Sequence, residues 1–153
     1  MVEIVDFRAE FAAAFKSLNE AWISQLFVME QKDIDTLSDP QGKIIDCGGY
    51  VFIALDHGEP VGCCALIALA EGEGFEVAKM AVADSHKGKG IGRELMAACV
   101  DRAKAVHAPR LYLETNSRLA PALGLYRSFG FQEIRPEKPS EYVRADVSME
   151  LRL

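Results

Sequence analysis

The stretch Phe75–Arg93, FEVAKMAVADSHKGKGIGR, restricts the fold of this chain more than any other. Its apolar run Val77–Val82 is rich in β-forming residues, and a glycine- and lysine-rich turn then leads into a helical pattern. The first turn of a helix has backbone N–H groups without intrahelical partners, and the helix dipole adds partial positive charge there. Glycine lets the backbone approach an anion closely, and Lys87, Lys89 and Arg93 add full positive charges. This stretch is therefore predicted to bind a pyrophosphate.

Two common phosphate-binding patterns do not fit this turn. The Walker pattern is absent because no Gly-Lys pair is followed by Ser or Thr, and the dinucleotide pattern fails because Arg93 stands where its third glycine is needed. These failures disfavour a nucleotide-binding protein. The turn does fit an acyl-coenzyme A pattern, [Gln/Arg]-x-x-Gly-x-[Gly/Ala], with Lys87, Gly90 and Gly92 at its named positions. A glycine- and lysine-rich surface loop is the simpler alternative.

A second motif lies further along the chain, at Pro121–Phe131 (PALGLYRSFGF), and matches the signature A-x-x-L-Y-x-x-x-G-F at every named position. Together the two motifs resemble the GNAT superfamily of N-acyltransferases. The chain departs from the family at Lys87, where glutamine or arginine is usual. Lysine keeps the positive charge but loses the planar fork of arginine, so the backbone contacts of this turn are the firmer expectation.

The patterns of apolar residues predict the order of helices and strands. Strands are expected at Val2–Phe7, Tyr50–Leu55, Pro60–Leu69, Val77–Val82, Leu111–Glu114 and Val143–Leu153, and helices at Glu10–Ile23, Glu30–Leu37, from Ile91 to just before Pro109, and from Pro121 to a stop at Gly130. The helix between the fourth and fifth strands makes that pair parallel. A mixed sheet with helices on its faces follows, in an α/β (mixed α+β) fold of one domain, residues 1–153. The resemblance adds that the sheet is mostly antiparallel, with a splayed parallel strand pair.

The resemblance implies acetyl-coenzyme A (acetyl-CoA) as cosubstrate and a set of residues that bind it. The pantetheine arm is expected to lie between the splayed strands, against the backbone of Met80, Ala81 and Val82. The backbone of the following turn would hold the pyrophosphate, through Lys87, Gly88, Lys89, Gly90, Ile91, Gly92 and Arg93. The family often has an asparagine seven residues before its tyrosine. Here that position is Leu119, and Asn116 is the nearest candidate substitute.

Tyr126 is the expected catalytic residue. A phenol with a pKa of about 10 is protonated at neutral pH and can donate to the departing thiolate of coenzyme A. The alternative is that Tyr126 is only a core aromatic, since it lies at helical spacing from Ala122 and Phe129. A general base is less evident: Glu114 and Glu76 are candidates, and either could be an ordinary surface carboxylate. No cluster of metal ligands is visible, and no metal is expected.

Composition limits the partners. The 153 residues carry 17 basic and 23 acidic side chains, a net charge of −6, which argues against a dedicated nucleic-acid binder and suits a cationic amine. No run of eighteen apolar residues and no signal-peptide pattern is present, so no membrane association is expected. The four cysteines, Cys47, Cys63, Cys64 and Cys99, lie in apolar contexts and are expected to be reduced, buried thiols of a cytoplasmic protein.

The sequence therefore predicts an N-acetyltransferase that transfers the acetyl group of acetyl-CoA to a primary amine by direct attack in a ternary complex. The alternative is a non-catalytic module of the same fold that binds acyl-CoA as a sensor or partner domain. The acceptor stays open among a polyamine, an antibiotic, an amino acid and a protein amine. The reason is that the pocket walls are expected from Gln25–Gly49, the least readable segment. A homodimer is possible, as in relatives.

Overall fold

The protein is described from a computed structural model, which places residues 2–136 and 138–153. Within these residues there are seven strands: β1 (Val2–Asp6), β2 (Tyr50–Asp56), β3 (Glu59–Ala68), β4 (Phe75–Val82), β5 (Arg110–Thr115), β6 (Gln132–Ile134) and β7 (Val147–Arg152). The α-helices are α1 (Ala12–Leu26), α2 (Gln31–Ser38), α3 (Ile91–Ala105) and α4 (Ala120–Ser128). Short 3-10 turns at Ala9–Phe11 and Asp84–His86 and a π-helical turn at Gln41–Ile45 complete the order.

The strands form one sheet in the order β1-β2-β3-β4-β5-β7-β6. Every neighbouring pair is antiparallel except β4 and β5, which are parallel because α3 carries the chain across the sheet between them. This is the predicted mixed α/β fold, with its single parallel pair at the predicted place.

Both faces of the sheet are buried, which explains why β2 and β3 are apolar along their whole length. Side chains of β2 alternate between two cores: Phe52 and Ala54 pack with α3, whereas Val51 and Ile53 lie on the other face. The second core includes Phe15 of α1 together with Leu37 of α2. The helices therefore cover both faces, as predicted.

The parallel pair separates almost as soon as it forms. Only Phe75↔Leu111 and Glu76↔Tyr112 are paired between β4 and β5. Among the described residues no ladder pairing joins the two strands beyond that point, so the edge of β4 that faces β5 carries free backbone groups from Val77 onward. This opening is the predicted splay.

A β-bulge interrupts β4 where the strands separate. On the β3 side, Cys63 pairs with Ala81 and Ala65 pairs with Ala78, so two residues of β4 lie opposite Cys64 alone. One of the two, Lys79, has φ +55°, a conformation that non-glycine residues seldom adopt. Its side chain is buried, and it is held there by partners described below.

The prediction for the C-terminal strand was wrong at its start. The strand was expected from Val143 with that side chain buried, but β7 begins at Val147 and Val143 is 95% exposed. The segment before Val147 is a turn that forms hydrogen bonds with residues 116 and 117, which follow β5. The Asn116 amide donates to the carbonyl of Arg144 (2.6 Å), and the Asp146 carboxylate accepts from the backbone N–H of Ser117 (2.8 Å). These side-chain contacts replace the ladder that alternation alone predicted.

The prediction that all four cysteines are buried was also wrong for one of them. Cys63, Cys64 and Cys99 are buried, whereas Cys47 is exposed. Cys47 lies in the turn after the π-helical segment, where its thiol donates to the Gly42 carbonyl (3.4 Å) at the surface. All four thiols are free.

Gly74 lies in the turn before β4, where the chain passes close to Arg110 at the start of β5. We predict that replacing Gly74 lowers the free energy of unfolding markedly. Gly74 has φ +95°, and a Cβ there would lie 2.2 Å from the Arg110 carbonyl oxygen. Gly72 in the same turn has φ +79° but nothing within 4 Å of a Cβ, so it isolates the cost of the dihedral. Gly72→Ala should lower the free energy of unfolding by about 1–2 kcal/mol, and Gly74→Ala by about 3 kcal/mol or more. Urea unfolding of both variants measures this, and equal losses would contradict the close approach.

Candidate active site

The opening between β4 and β5 leads into a cavity of about 390 Å³. Its walls come from six segments: β4 from Glu76 to Val82, Lys87 of the turn before α3, the end of β5 with Asn116, the C-terminal part of α1 with Phe27, the first turns of α4, and the turn that contains Tyr142 and Arg144. The apolar lining comes from α1, α4 and β4, and the acidic side chains come from β4 and β5. One cavity therefore joins the free edge of β4 to two carboxylates and to Tyr126.

The helix start next to this cavity has the features of an anion site. Gly90 is the N-cap of α3 with φ +81°, and the first intrahelical bond runs from the Glu94 N–H to the Gly90 carbonyl (3.1 Å). The N–H groups of Ile91, Gly92 and Arg93 precede that bond and have no intrahelical acceptor. A Cβ on Gly90 would meet nothing within 4 Å, so this glycine provides the left-handed dihedral, and the space beside it is open. The residues present fit a bound pyrophosphate.

The predicted cofactor-binding residues fall into two groups. Those that line the cavity are Met80, Ala81, Val82, Lys87 and Asn116. Those that lie at the start of α3, outside the lining, are Gly88, Lys89, Gly90, Ile91, Gly92 and Arg93. Ile91, the first residue of α3, is only 2% exposed, and its side chain packs in the core between this helix and the sheet. Only its backbone is therefore available to a ligand.

Three of these side chains already have partners. Lys87 forms an exposed ion pair with Asp84 (2.9 Å), and the guanidinium of Arg93 donates to the Ser128 hydroxyl (3.0 Å). Besides donating to Arg144, the Asn116 side chain accepts from the backbone N–H of Arg118 (2.8 Å). Its contact with the cofactor arm stays a prediction.

Tyr126 projects from α4 and lines the cavity while its ring packs near Phe131, with ring centroids 6.1 Å apart. Within the described part of the chain its hydroxyl makes no hydrogen bond, and no fully buried side-chain oxygen or nitrogen lacks a partner. The hydroxyl is therefore accessible from the cavity. Burial, and after it the nearby Cys64, raises the pKa of Tyr126 well above its ordinary value, so the phenol stays protonated. The core and catalytic interpretations of Tyr126 are compatible, because one end of the ring is packed and the other is free.

The two candidate bases differ in their surroundings. Both Glu76 and Glu114 line the cavity. The carboxylate of Glu114 accepts from the Ser140 hydroxyl (2.9 Å) and the Tyr112 hydroxyl (3.0 Å). Glu76 has no hydrogen bond or ion pair with any described residue. Burial, followed by repulsion from Glu114, raises the pKa of Glu76 to about 7. An unbound carboxylate that titrates near neutrality can accept a proton, so Glu76 is the better candidate.

Sequence reasoning missed three polar residues that line the cavity beside Glu76 and Glu114. Lys79, Tyr142 and Arg144 line the cavity, and Lys79 and Arg144 both bind the buried Asp33 of α2. A lysine in an apolar strand run was a possible signal, because a buried lysine needs an acidic partner. Nothing in the sequence indicates that this partner is Asp33. Trp22, which packs partly buried against the second core, also lines the cavity.

The described residues contain no group of three or more histidine, cysteine, aspartate or glutamate side chains that could hold a metal ion. Across the same residues, none of the helices has the length and apolar character needed to cross a bilayer.

Comparison with known proteins places this geometry in a family. The family model described as "Acetyltransferase (GNAT) family" matches residues 11–131. Streptothricin acetyltransferase of Streptomyces lavendulae is 35% identical over 91 residues, which cover 60% of this chain and 48% of that protein. IAA acetyltransferase of Azospirillum brasilense is 34% identical over 107 residues, which cover 70% of this chain and 65% of that protein. The chain thus spans about half to just under two thirds of the length of these two relatives.

Solved structures share the fold. The structure of an acetyltransferase of the GNAT family from Staphylococcus aureus Mu50 has a TM-score of 0.89 at 18% identity, with 99% of both chains covered. A structure from Salmonella typhimurium that contains its cofactor acetyl-CoA has a TM-score of 0.77 at 19% identity, over 99% of this chain and 94% of that one. In both comparisons the likeness extends over 99% of this chain.

The raised pKa of Glu76 predicts a pH-dependent effect of Glu76→Gln on stability. The group has a pKa of about 7 in the folded state and 4.5 as its ordinary value, so the folded state favours the protonated form. Its contribution to stability is complete below about pH 4.5 and is lost as the pH rises to about 7. Glutamine cannot ionise, so the stability of the variant relative to the native protein should rise by up to about 3 kcal/mol between about pH 4.5 and pH 8. Urea unfolding at both pH values tests this, and a pH-independent difference would show that Glu76 titrates normally.

Proposed function

The chain belongs to the GNAT family of acetyltransferases, and on that premise we propose that it transfers the acetyl group of acetyl-CoA to a primary amine by direct attack in a ternary complex. The observation that carries the proposal is the single cavity that brings Tyr126 and Glu76 to the free edge of β4. Proximity of two bound substrates supplies much of the rate in such a site, because a bimolecular step becomes effectively unimolecular.

Acetyl-CoA would supply an activated acetyl thioester. Two features of the chain suit it. The free edge of β4 at Met80, Ala81 and Val82 can pair with the amide groups of an extended arm, as a further strand would. At the end of that edge, the backbone N–H groups of the turn 87–93 would hold the pyrophosphate at the start of α3. Lys89 and Arg93 add positive charge there.

Glu76 would prepare the acceptor. An alkylammonium ion has no free electron pair, so it must lose a proton before it can attack. With a pKa of about 7, Glu76 is largely ionised in mildly alkaline solution and can take this proton directly or through a water molecule. Glu114 adds negative charge that holds the ammonium form nearby before the transfer.

Tyr126 would complete the reaction as the general acid. When the sulfur leaves, it leaves as a thiolate, and the phenol proton of Tyr126 can pass to it. The raised pKa of Tyr126 keeps the hydroxyl protonated, so that it can donate a hydrogen bond to the sulfur as negative charge develops there. The resulting tyrosinate would be reprotonated from solvent through the open end of the cavity.

A non-catalytic acyl-CoA-binding module is the second candidate, and the departures Lys87 and Leu119 from the family pattern are what favour it. A cytoplasmic location and a homodimer also stay predictions, and both a small-molecule amine and a protein amine stay open as the acceptor. Coenzyme binding without turnover across a broad amine panel would favour the module.

We predict that Tyr126→Phe lowers kcat at least about tenfold, which corresponds to about 1.4 kcal/mol in the barrier. The hydroxyl has no partner among the described residues, so its removal should leave stability and coenzyme binding nearly unchanged. Thiol release from acetyl-CoA measures turnover, and calorimetric titration measures coenzyme affinity.

The matched control is Tyr50→Phe. Tyr50 is half-buried on β2 against Phe75 (ring centroids 5.8 Å apart) and does not line the cavity. The Tyr50→Phe variant should therefore leave kcat unchanged. A Tyr126→Phe variant with full kcat would remove Tyr126 from the chemistry, and a protein that binds no acetyl-CoA would overturn the proposed function itself.

A further inference from the structure

The basic side chains of the cavity are all bound to acidic residues of the protein, and from this we infer the class of acceptor. Resting on the proposed function, we propose that the acceptor is a primary amine with an apolar or cationic body and no carboxylate near the reacting nitrogen. Free α-amino acids are thereby excluded.

The cations at the acceptor end of the cavity form a closed network around Asp33. The Lys79 ammonium donates to Asp33 Oδ1 (2.8 Å), and the Arg144 guanidinium donates to both carboxylate oxygens (2.6 and 2.7 Å). The backbone N–H of Glu30 donates to Oδ2 (3.0 Å), and the Glu30 carboxylate also lies 3.4 Å from Arg144. Two cations and two anions thus leave no net charge.

This network cannot release a cation to a ligand without a large loss. The Asp33 side chain is fully buried, and that of Lys79 is 4% exposed. Burial by itself would raise the pKa of Asp33, but the hydrogen bonds from Arg144 and Lys79 outweigh it and hold the pKa at about 2. Withdrawing Arg144 toward a substrate carboxylate would leave a buried anion short of donors, which is among the costliest changes in a protein interior.

The carboxylates of the cavity are not neutralised in this way. Glu114 is bound only by the hydroxyl groups of Ser140 and Tyr112, which leave its charge intact. Glu76 has no hydrogen bond or ion pair among residues 2–136 and 138–153, and the more distant charges of Lys32 and Lys79 lower its pKa by less than burial and Glu114 raise it. Lys87, the remaining basic residue of the lining, is paired with Asp84 next to the helix start. The acceptor end therefore attracts an ammonium group and repels a carboxylate.

The rest of the acceptor would contact an apolar wall. Trp22, Leu26 and Phe27 line the cavity from the end of α1, and the rings of Trp22 and Phe27 meet edge to face with centroids 6.3 Å apart. An alkyl or aromatic body attached to the amine fits this wall, since binding would bury apolar surface on both sides.

Two further basic residues, Lys32 on α2 and Arg118 close to the end of α1, lie outside the cavity lining. Lys32 is paired with Glu141. Arg118 lies over the Phe27 ring, 4.8 Å from its centroid, and donates to the Leu26 carbonyl (3.1 Å), but it does not line the cavity. If a substrate carboxylate bound after all, Arg118 is the residue that would hold it, so Arg118→Gln identifies that outcome.

The test uses matched pairs of ligands that differ only by a carboxylate and have a single amine: phenethylamine against phenylalanine, and 3-methylbutylamine against leucine. Trp22 is the only tryptophan of the chain and lies in the cavity wall, so its fluorescence reports binding without any need for turnover. With acetyl-CoA or coenzyme A present at about pH 8, where Glu76 is ionised, each amine should bind at least about tenfold more tightly than its amino acid. Turnover by thiol release should follow the same order in kcat/KM.

Variants then assign the cause of the preference. Glu114→Gln should weaken the amines and leave the amino acids unchanged, so that the ratio falls several-fold. Equal or tighter binding of the amino acids, above all if Arg118→Gln abolishes it, would overturn the proposal. So would a failure of both members of each pair to bind. Turnover of amino acids would overturn the acceptor class while sustaining the acetyltransferase. Absence of turnover with every ligand, despite preferential amine binding, would overturn the reaction and keep the binding preference.

Discussion

The separation of β4 from β5 after two paired residues is the constraint on which the site depends. A continuous parallel pair would satisfy the backbone of both strands and close the sheet. Here the turn at Gly74 brings the strands together at Phe75, and the bulge at Lys79 bends β4 away. The backbone groups that are left free need partners, and an extended ligand with amide groups can provide them.

The same bulge connects this opening to the acceptor end of the cavity. By turning Lys79 inward it places an ammonium group beside Asp33 of α2, and Arg144 reaches the same carboxylate from the turn before β7. Three segments far apart in sequence are thus joined through one buried anion. The network has a second consequence, because it neutralises two positive charges of a cavity in which neither Glu76 nor Glu114 is paired with a basic side chain among the described residues.

Much of the fold was predictable because its signals are local. Continuous apolar runs indicated central strands, and the helical pattern between β4 and β5 required a parallel pair. The prediction failed where side chains from elsewhere bind the backbone. Val143 continues a clean alternation in the sequence, yet Asn116 takes the carbonyl of Arg144 and delays the strand to Val147. An alternating pattern records only which residues could face a core, and it carries no information on such contacts.

The family resemblance, the candidate anion site at the start of α3 and the candidate Tyr126 could all be read from the sequence, because each rests on residues close together in the chain whose spacing and dihedral preferences are local properties. The different surroundings of Glu76 and Glu114, and the neutralisation of Lys79 and Arg144 by Asp33, became visible only once the chain was folded. The reason is physical. The charge state and availability of an ionisable group depend on burial and on neighbours, and both are set by segments that the fold brings together from distant parts of the chain.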